Sequence, residues 1–427
     1  MPVITRRQFL QSTSALAVSS FFVPRVSGAE SANDRLNVAV IGVANQGNYN
    51  LSNVASQNIV ALCDVDENYL AKAAEKFPQA KKFTDFRRLI DEKNIDAIVV
   101  ATPDHTHAVA TMAALKSGRH VYCEKPLTHT ISECRAIREA AKKARKATQM
   151  GTQIHAGDNY RRVVELIQKK AIGTVQEVHV WVSGGYGGKT RPTETPPVPE
   201  MLNYDLWIGP VEYRPYHPTY VPFNWRHWWA FGGGTLADLG CHYMDLPHWA
   251  LGLHTPSTVE AEGPEPDSES TPTWLIARYH YPQYKKGGVN LTWYHGGKRP
   301  ERLQLPPEQM EKWKSGILFV GDQGELLADY NRHVLLPEEK FKDFTRPEPF
   351  IEKSIGHHNE WLRACKTGSP TTCNFDYSGA LAESVLLGNV AFRTGKKIEW
   401  DARKLRAKNN RAADEFIRHH YRSGWKL

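Results

Sequence analysis

The chain has 427 residues, of which 41% are hydrophobic and 23% are charged. These proportions are typical of a soluble globular protein and exclude a disordered or fibrous one, and the length predicts two domains. The formal net charge is +8, but the lysines and arginines are scattered, which argues against a nucleic-acid partner. Beyond the first 29 residues no apolar run approaches the roughly 20 residues of a membrane span.

Residues 1–29 resemble an export signal. The adjacent pair Arg6 and Arg7 precedes an apolar run, Ala15–Val23, and a small-residue end at residues 27–29. This order resembles a signal for the twin-arginine route, which exports proteins that are already folded. The alternative is a disordered tail with two adjacent arginines by chance. We expect residues 1–29 to be a signal peptide and the protein to be periplasmic or otherwise exported.

A strand that runs into a glycine-containing turn opens the next region. The apolar run 36–41 leads into G-V-A-N-Q-G at 42–47, a dinucleotide fingerprint whose second glycine is replaced by alanine. The first glycine allows a tight turn and the last allows close packing of helix on strand, while the helix start presents N–H groups to a pyrophosphate. The predicted cofactor contacts here are Gly42, Ala44, Asn45, Gln46 and Gly47.

A second apolar strand ends at Asp64, about 20 residues past the glycines, where an acid can hold ribose hydroxyls. Asp64, with Asp66 behind it, would repel a 2′-phosphate, so the sequence favours NAD over NADP. Strands and helices then alternate, which predicts a parallel, doubly wound Rossmann sheet over residues 33–155. An α/β domain without a nucleotide fits this combination of strand, glycines and acid less well.

Two later loops follow strands of this predicted sheet. Pro103 stops one strand and Asp104 could cap the next helix, so the loop T-P-D-H-T-H at 102–107 should border the nicotinamide. The stretch V-Y-C-E-K-P-L at 121–127 delivers Lys125 to the carboxyl end of another strand, where open sheets bind ligands. A solvated loop lysine is the commoner alternative. The predicted cofactor contacts are Thr102, Pro103, His107, Glu124 and Lys125.

From residue 156 to 400 longer apolar and alternating runs predict a second, α+β domain with a mostly antiparallel sheet. The segment Tyr204–Phe231 is rich in aromatic residues, which suit sugar rings and ordinary core packing equally well. We predict Trp225 as a substrate contact. Residues 401–427 form a basic tail to which the sequence assigns no role.

A glycine loop at 232–234 precedes a predicted helix that carries Asp238, His242 and Asp245. Their spacing of i, i+4 and i+7 would place them on one stripe. An acid-histidine-acid stripe beside leucines indicates more than a solvated face. A metal site is the alternative, but no third ligand follows with a clear spacing, so we predict none.

Taken together, the motifs resemble one known family. They are the fingerprint, T-P-D-H-T-H at 102–107, E-K-P at 124–126, G-G-G-x-x-x-D-x-G-x-H at 232–242 and G-D-Q-G at 321–324. In this joint order they resemble the glucose-fructose oxidoreductase, inositol dehydrogenase and rhizopine-catabolism (Gfo/Idh/MocA) superfamily. The resemblance implies a second domain with a large open sheet, often used for subunit contact, and hence a homo-oligomer. It also implies a sugar or polyol whose alcohol is oxidised by a nicotinamide.

By that resemblance Lys125 matches the family's active-site lysine, and Asp238 and His242 match its acid and histidine. His242 would then be the base, titrating near neutrality, and Lys125 would polarise the reacting oxygen. Asp238 would hold substrate hydroxyls. The family's arginine near position 155 is absent here. The remaining predicted substrate contacts are His155 and Asp245.

Three functions remain open at this level. The first is a nicotinamide-dependent oxidoreductase that acts on a sugar or polyol. The second is a redox-neutral enzyme that cleaves or epimerises glycosides with a retained NAD, an idea favoured by export, since free NAD is not expected outside the cytoplasm. The third is a non-catalytic sugar-binding protein on a dehydrogenase fold.

Overall fold

The computed structural model describes residues 34–303, 307–418 and 420–427, so the predicted signal peptide at 1–29 lies outside the described residues. Within them two sheets organise the chain.

The first sheet has six parallel strands in the order β3-β2-β1-β4-β5-β6, which confirms the predicted doubly wound sheet. Its central strands are buried on both faces, as the run Ala97–Val100 illustrates, and this is why they read as continuous apolar segments. The strands are β1 (Asn37–Ile41), β2 (Asn58–Cys63), β3 (Lys81–Phe83), β4 (Ala97–Val100), β5 (His120–Cys123) and β6 (Thr148–Met150).

Helices alternate with these strands along the chain. Asp66 caps the second helix by accepting from the amides of Asn68 and Tyr69, which is the short-range signal expected of an aspartate before a helix. The helices are α1 (Gln46–Asn53), α2 (Glu67–Lys76), α3 (Phe86–Ile90), α4 (Asp104–Lys116), α5 (Ile131–Ala144) and, after a 3-10 turn at Gln153–Ala156, α6 (Asp158–Gln168).

The second sheet has nine strands in the order β13-β12-β11-β7-β10-β9-β8-β14-β15. All neighbours in it are antiparallel except β7 and β10, so the mostly antiparallel prediction is confirmed. The strands are β7 (Val175–Trp181), β8 (Thr258–Glu262), β9 (Leu275–Tyr281), β10 (Val289–His295), β11 (Gly316–Gly321), β12 (Glu325–Ala328), β13 (His333–Leu336), β14 (Ile398–Asp401) and β15 (Arg406–Ala407).

Helices of the second domain pack on this sheet and on α5. The longest of them, Phe375–Thr394, was not predicted, because it is buried nearly all round and therefore shows no amphipathic period. Gly388 in this helix allows the helix to pack closely on the sheet, since a Cβ there would lie 2.2 Å from the Tyr279 hydroxyl. These helices are α7 (Tyr204–Ile208), α8 (Gly234–Tyr243), α9 (Asp245–Leu251), α10 (Pro307–Lys312), α11 (His357–Thr367), α12 (Phe375–Thr394) and α13 (Asp414–Ile417).

Most aromatic side chains of residues 204–231 form a buried cluster, as the core-packing alternative predicted. Tyr213 and Phe223 are exceptions, with 62% and 50% of their surface exposed. The chain's last residues do not form a detached tail. Arg422 donates to the carbonyls of Asp205 and Gly209 at 2.7 and 2.6 Å. The C-terminal segment thus packs against α7 and the residue that ends it.

Candidate active site

A cavity of about 380 Å³ lies at the carboxyl ends of β1, β2, β4 and β5, where parallel sheets bind ligands. The first domain supplies one wall from its strand-end loops. Residues of the second domain and the C-terminal segment supply the other wall, namely Leu202, Leu206, Trp207, Val221, Pro222, Phe223, Trp225, Arg226, His242 and Trp425. The cavity is therefore shared between the two sheets' domains.

The fingerprint turn has the geometry that a pyrophosphate needs. Gly42 has a φ of +84°, and a Cβ there would lie 2.5 Å from the carbonyl oxygen of Ala101. A Cβ on Gly47 would lie 1.9 Å from the Gly42 carbonyl oxygen, so α1 can approach β1 only through a glycine. No side chain caps α1, so no side chain competes with a ligand for its first N–H groups, although the Gly47 amide donates to the Ala44 carbonyl at 2.8 Å. The turn fits a dinucleotide.

Asp64 lies at the far end of the cavity from Lys125 along the strand edge. Its two carboxylate oxygens accept from the backbone amides of Val43 and Asp66, at 2.9 and 3.0 Å. Burial raises the pKa of Asp64 to about 6, against the lowering effect of these amides. The carboxylate is thus mostly ionised at pH 7 and retains lone pairs for ribose hydroxyls.

Glu124 ties three elements together beneath the cavity. One carboxylate oxygen accepts from the amides of Gln46, Asn50 and Gln153 at 3.1, 2.9 and 2.9 Å. Burial raises its pKa, while the bond from Asn50 opposes that rise. Its second oxygen is buried and has no hydrogen-bond partner among the described residues. Glu124 lines the cavity and fixes α1 relative to the end of β5.

Lys125 reaches across to the second domain. Its Nζ donates to the Asp238 carboxylate at 2.7 Å and to the Asp238 carbonyl at 2.8 Å. An ammonium has three N–H donors, so one remains for a ligand in the cavity. The Lys125–Pro126 peptide bond is cis. Sequence reasoning predicted this lysine but could not show that it meets Asp238.

Arg226 is the second cation on the same carboxylate. Its Nε donates to Asp238 at 3.1 Å, and its guanidinium stacks over the rings of Trp225 and Phe223, at 4.1 and 4.5 Å from the ring centroids. Burial alone would raise the pKa of Asp238, but Lys125 and Arg226 hold it well below its usual range. The group is therefore a permanent carboxylate between two cations.

His242 lines the cavity one helical turn after Asp238. Its Nδ1 is buried without a hydrogen-bond partner among the described residues, so Nε2 is the nitrogen available to the cavity. Burial and the charge of Lys125 lower its pKa to about 3, although Asp238 acts in the opposite direction. The expectation of a base that titrates near neutrality is therefore wrong. The ring is neutral throughout the physiological range.

Asp104 lies in the cavity and does not cap the helix. The cap of α4 is Pro103, Asp104 is the helix's first residue, and no side chain makes a capping bond. Only 4% of Asp104 is exposed. Burial raises its pKa to about 8, against the lowering effects of Arg226 and Lys125. At pH 7 this carboxyl is mostly protonated.

Two of the predicted contacts, His107 and His155, lie outside the cavity wall. His107 is buried beneath it, with its ring nitrogens 2.7 Å from the carbonyl oxygens of Pro126 and Thr102. His155 is paired through Nδ1 with the Asp245 carboxylate at 2.9 Å and stacks on Trp249. Both are at most 1% exposed. Their direct contact with a ligand does not fit this arrangement, whereas support of the cavity loops does.

The predicted stripe on one helix is also incorrect. The helix that carries Asp238 and His242 ends at Tyr243, and Asp245 begins α9 after a break at Met244. Asp245 consequently turns away from the cavity and accepts from the Tyr377 hydroxyl at 2.6 Å. A spacing of seven residues indicates a common face only where the helix is continuous.

Sequence reasoning missed Asp104, Arg226 and Trp425 as members of the site. Arg226 offers no spacing signal, because it reaches Asp238 only through the fold of the aromatic segment. Trp425 comes from the end of the chain and packs against Phe86, with ring centroids 6.1 Å apart. Among the described residues no group of three His, Cys, Asp or Glu side chains could hold a metal ion. Nor does any helix within the described ranges have the length and apolarity to cross a membrane.

The chain belongs to the Gfo/Idh/MocA oxidoreductase family. Residues 36–152 match the family's NAD-binding Rossmann fold and residues 161–427 match its C-terminal alpha/beta domain. The fold and the cavity described above agree with both assignments.

Among curated relatives, levoglucosan dehydrogenase of Pseudarthrobacter phenanthrenivorans is 36% identical over 280 residues, which are 64% of this chain and 59% of that protein. Inositol 2-dehydrogenase of Salmonella paratyphi B is 27% identical over 191 residues, 42% of this chain and 56% of that protein. The matched regions thus span little more than half the length of these relatives.

Among solved structures, the fold resembles GenD2 from gentamicin A biosynthesis in complex with NAD. The TM-score is 0.61 at 20% identity, over 86% of this chain and 97% of that chain. The myo-inositol 2-dehydrogenase of Lactobacillus plantarum has a TM-score of 0.58 at 18% identity, over 86% of this chain and 100% of that chain. At these identities the likeness concerns the fold.

Proposed function

We propose that the protein oxidises an alcohol of a sugar or polyol with NAD. One observation carries the proposal: Lys125 from the first domain and His242 from the second line the same cavity, and Lys125 pairs there with Asp238 of the second domain at 2.7 Å. The named activities of the inositol and levoglucosan dehydrogenases support the substrate class.

NAD would bind along the strand edge. The N–H groups at the start of α1 would hold its pyrophosphate, and Asp64 would hold ribose hydroxyls. A nicotinamide cofactor supplies a hydride acceptor. Since Asp64 is mostly ionised at pH 7 and lies beside Asp66, a 2′-phosphate would meet negative charge. We therefore favour NAD over NADP.

The chain's own residues can remove the hydroxyl proton. The remaining N–H of Lys125 would hold the reacting oxygen and stabilise the negative charge that develops on it. The neutral His242 would accept the proton at Nε2. The imidazolium formed would lie one turn from the Asp238 carboxylate, which favours its charge. The two cations on Asp238 hold that carboxylate in place.

The activity is tested on purified protein with NAD and a panel that includes myo-inositol and levoglucosan. Formation of NADH together with a ketone product, identified by mass spectrometry, supports the proposal. The variant Lys125→Met should lower kcat by roughly 10²–10³-fold, the usual effect of losing one charge-stabilising donor. A sugar-binding protein without catalysis would instead bind the panel and form no NADH.

A retained cofactor, and with it a redox-neutral glycoside cleavage or epimerisation, is the second candidate. It is favoured by two segments that cover the Asp64 end of the cavity, the first of which lies at residues 201–203. The amide of Asn203 donates to the Val65 carbonyl at 2.8 Å, and the amide of Glu67 donates to the Met201 carbonyl at 2.9 Å. Such backbone bonds across the cleft would slow release of a bound dinucleotide.

The C-terminal segment, which carries Trp425, is the second segment that covers this end of the cavity. Trp425 lines the cavity, and the Arg87 guanidinium lies 4.7 Å from its ring centroid. Nucleotide released by denaturing the purified protein, detected by mass spectrometry at near one equivalent, would support retention. Protein that is free of nucleotide and turns over only with added NAD would contradict it.

We also propose that the protein is exported and forms a homo-oligomer. Export rests on the arginine pair and the apolar run within residues 1–29. Fractionation of cells that express the full chain, compared with an Arg6→Lys, Arg7→Lys variant, tests export. Light scattering of the purified protein tests the oligomer.

A further inference from the structure

Asp104 lies where the charged groups of the cavity converge, yet it takes part in none of their ion pairs. Lys125 and Arg226 both pair with Asp238, at 2.7 and 3.1 Å. Within the described residues no ion pair joins either cation to Asp104, although both lower its pKa through their charge. Asp104 is thus a buried carboxyl that faces the cavity next to the reactive groups.

The Asp104 carboxyl accepts a hydrogen bond from the amide of Asp104 itself, but it does not close the first turn of the helix. The amide and hydroxyl of Thr106 both donate to the Pro103 carbonyl, each at 3.0 Å, so the first turn of α4 is closed without Asp104. A carboxyl has several hydrogen-bonding positions, so one that bonds only to its own amide and forms no ion pair keeps others for a ligand. Because Asp104 lines the cavity, a bound substrate can use those positions.

We propose that Asp104 contacts the substrate and hydrogen-bonds the hydroxyl on a carbon next to the carbinol that is oxidised. Lys125 and His242 define the position of the reacting oxygen, and Asp104 lies beside them in the same cavity. Sugars and polyols carry such neighbouring hydroxyls, whereas simple alcohols do not. Asp104 would therefore select for a vicinal diol. This inference rests on the proposed function of the same site.

The electrostatics suit such a contact. The charged groups that act on Asp104 are Lys125 after β5, Arg226 on the 3-10 turn Asn224–His227, and Asp238 on α8. Its own charge in turn raises the pKa of the Tyr186 hydroxyl and of the thiols of Cys123 and Cys241. Burial raises the pKa of Asp104 to about 8, the two cations lower it, and Asp238 raises it further. Below pH 8 the carboxyl can both donate and accept a hydrogen bond. Above pH 8 it becomes an acceptor only.

The test compares Asp104→Ala and Asp104→Asn with the wild type. Asp158→Asn is the matched control, because Asp158 is also the first residue of a helix but is exposed and lies outside the cavity wall. The probes are levoglucosan and myo-inositol, whichever the wild type oxidises, and the monodeoxy derivatives of that compound. The readouts are KM, kcat and the calorimetric Kd of each probe.

We expect Asp104→Ala to raise KM and Kd for the parent probe at least tenfold, the effect of losing one hydrogen bond to a buried group. One monodeoxy derivative should bind the wild type about tenfold more weakly than its parent, and Asp104→Ala should bind the two alike. Asp104→Asn keeps a donor and an acceptor, so its KM and Kd should stay within about threefold of those of the wild type. Its amide does not titrate, so the variant should lose the change in KM near pH 8 that we expect of the wild type.

If Asp104→Ala distinguishes the monodeoxy derivatives as the wild type does, the inference is overturned while the proposed function stands. If the wild type oxidises no member of the panel, the proposed function fails, and the inference fails with it. If thermal unfolding shows that Asp104→Ala does not fold, Asp104→Asn is used to test the inference instead. A pH profile of KM for Asp104→Asn that equals that of the wild type, with the change near pH 8 retained, would then overturn the inference.

Discussion

The carboxylate of Asp238 lies between two cations, and removing its charge should destabilise the protein. Lys125 Nζ lies 2.7 Å and Arg226 Nε 3.1 Å from the same carboxylate oxygen. The three side chains are only 12–19% exposed. Asp238→Asn keeps the shape of the side chain but leaves two neighbouring, poorly solvated cations without a counter-charge. Lys125→Met removes one of these cations and leaves Arg226 paired.

The magnitude follows from burial. Breaking a buried ion pair by neutralising one partner costs about 3–5 kcal/mol. Because this cluster borders a cavity that water can enter, we expect roughly 2–3 kcal/mol for Asp238→Asn. Lys125→Met should cost about 1 kcal/mol, since one cation still neutralises the carboxylate. The double variant should cost about 1–2 kcal/mol less than the sum of the single variants.

The assay is urea unfolding of nucleotide-free protein at pH 7, followed by tryptophan fluorescence, for the wild type, both single variants and the double variant. Glu262→Gln is the control, since its partner Arg278 is 45% exposed and Glu262 is 51% exposed. Such a surface pair should change the free energy of unfolding by at most about 0.5 kcal/mol. An Asp238→Asn variant as stable as the control, or strictly additive costs in the double variant, would refute the reasoning.

Three further outcomes are expected. The His242 NMR signal, assigned as the one lost in His242→Gln, should not titrate between pH 5 and 9, because burial and Lys125 lower the pKa of His242 to about 3. A titration midpoint between pH 6 and 7 would contradict this. Trp425→Ala should weaken NAD binding, measured by calorimetry, by about tenfold, because the cavity loses an aromatic side chain from its wall. Phe350→Ala, at an exposed residue outside the cavity, should leave NAD binding unchanged; equal effects of the two variants would show that Trp425 does not cover the bound NAD. Gly47→Ala should abolish NAD binding because its Cβ would meet the Gly42 carbonyl oxygen at 1.9 Å, while Gly252→Asn, in open space, should bind NAD normally.

The first domain was accessible from sequence because its signals are local. A buried strand, a glycine turn and an acid at the end of the next strand are each specified by neighbouring residues, and parallel pairing then fixes their common edge. The strands β7 to β11 of the second domain were accessible for the same reason. The helix α12 was not, because a helix buried on all sides carries no periodic pattern.

The site divides in the same way. The sequence by itself determined that Lys125 ends a strand and that Asp238 and His242 lie one turn apart on a helix. Only the tertiary structure decided that Lys125 bonds to Asp238, that Arg226 completes the cluster and that Trp425 returns to the cavity. It also decided the protonation of His242 and Asp104, since a pKa depends on burial and on charges brought together from distant parts of the chain.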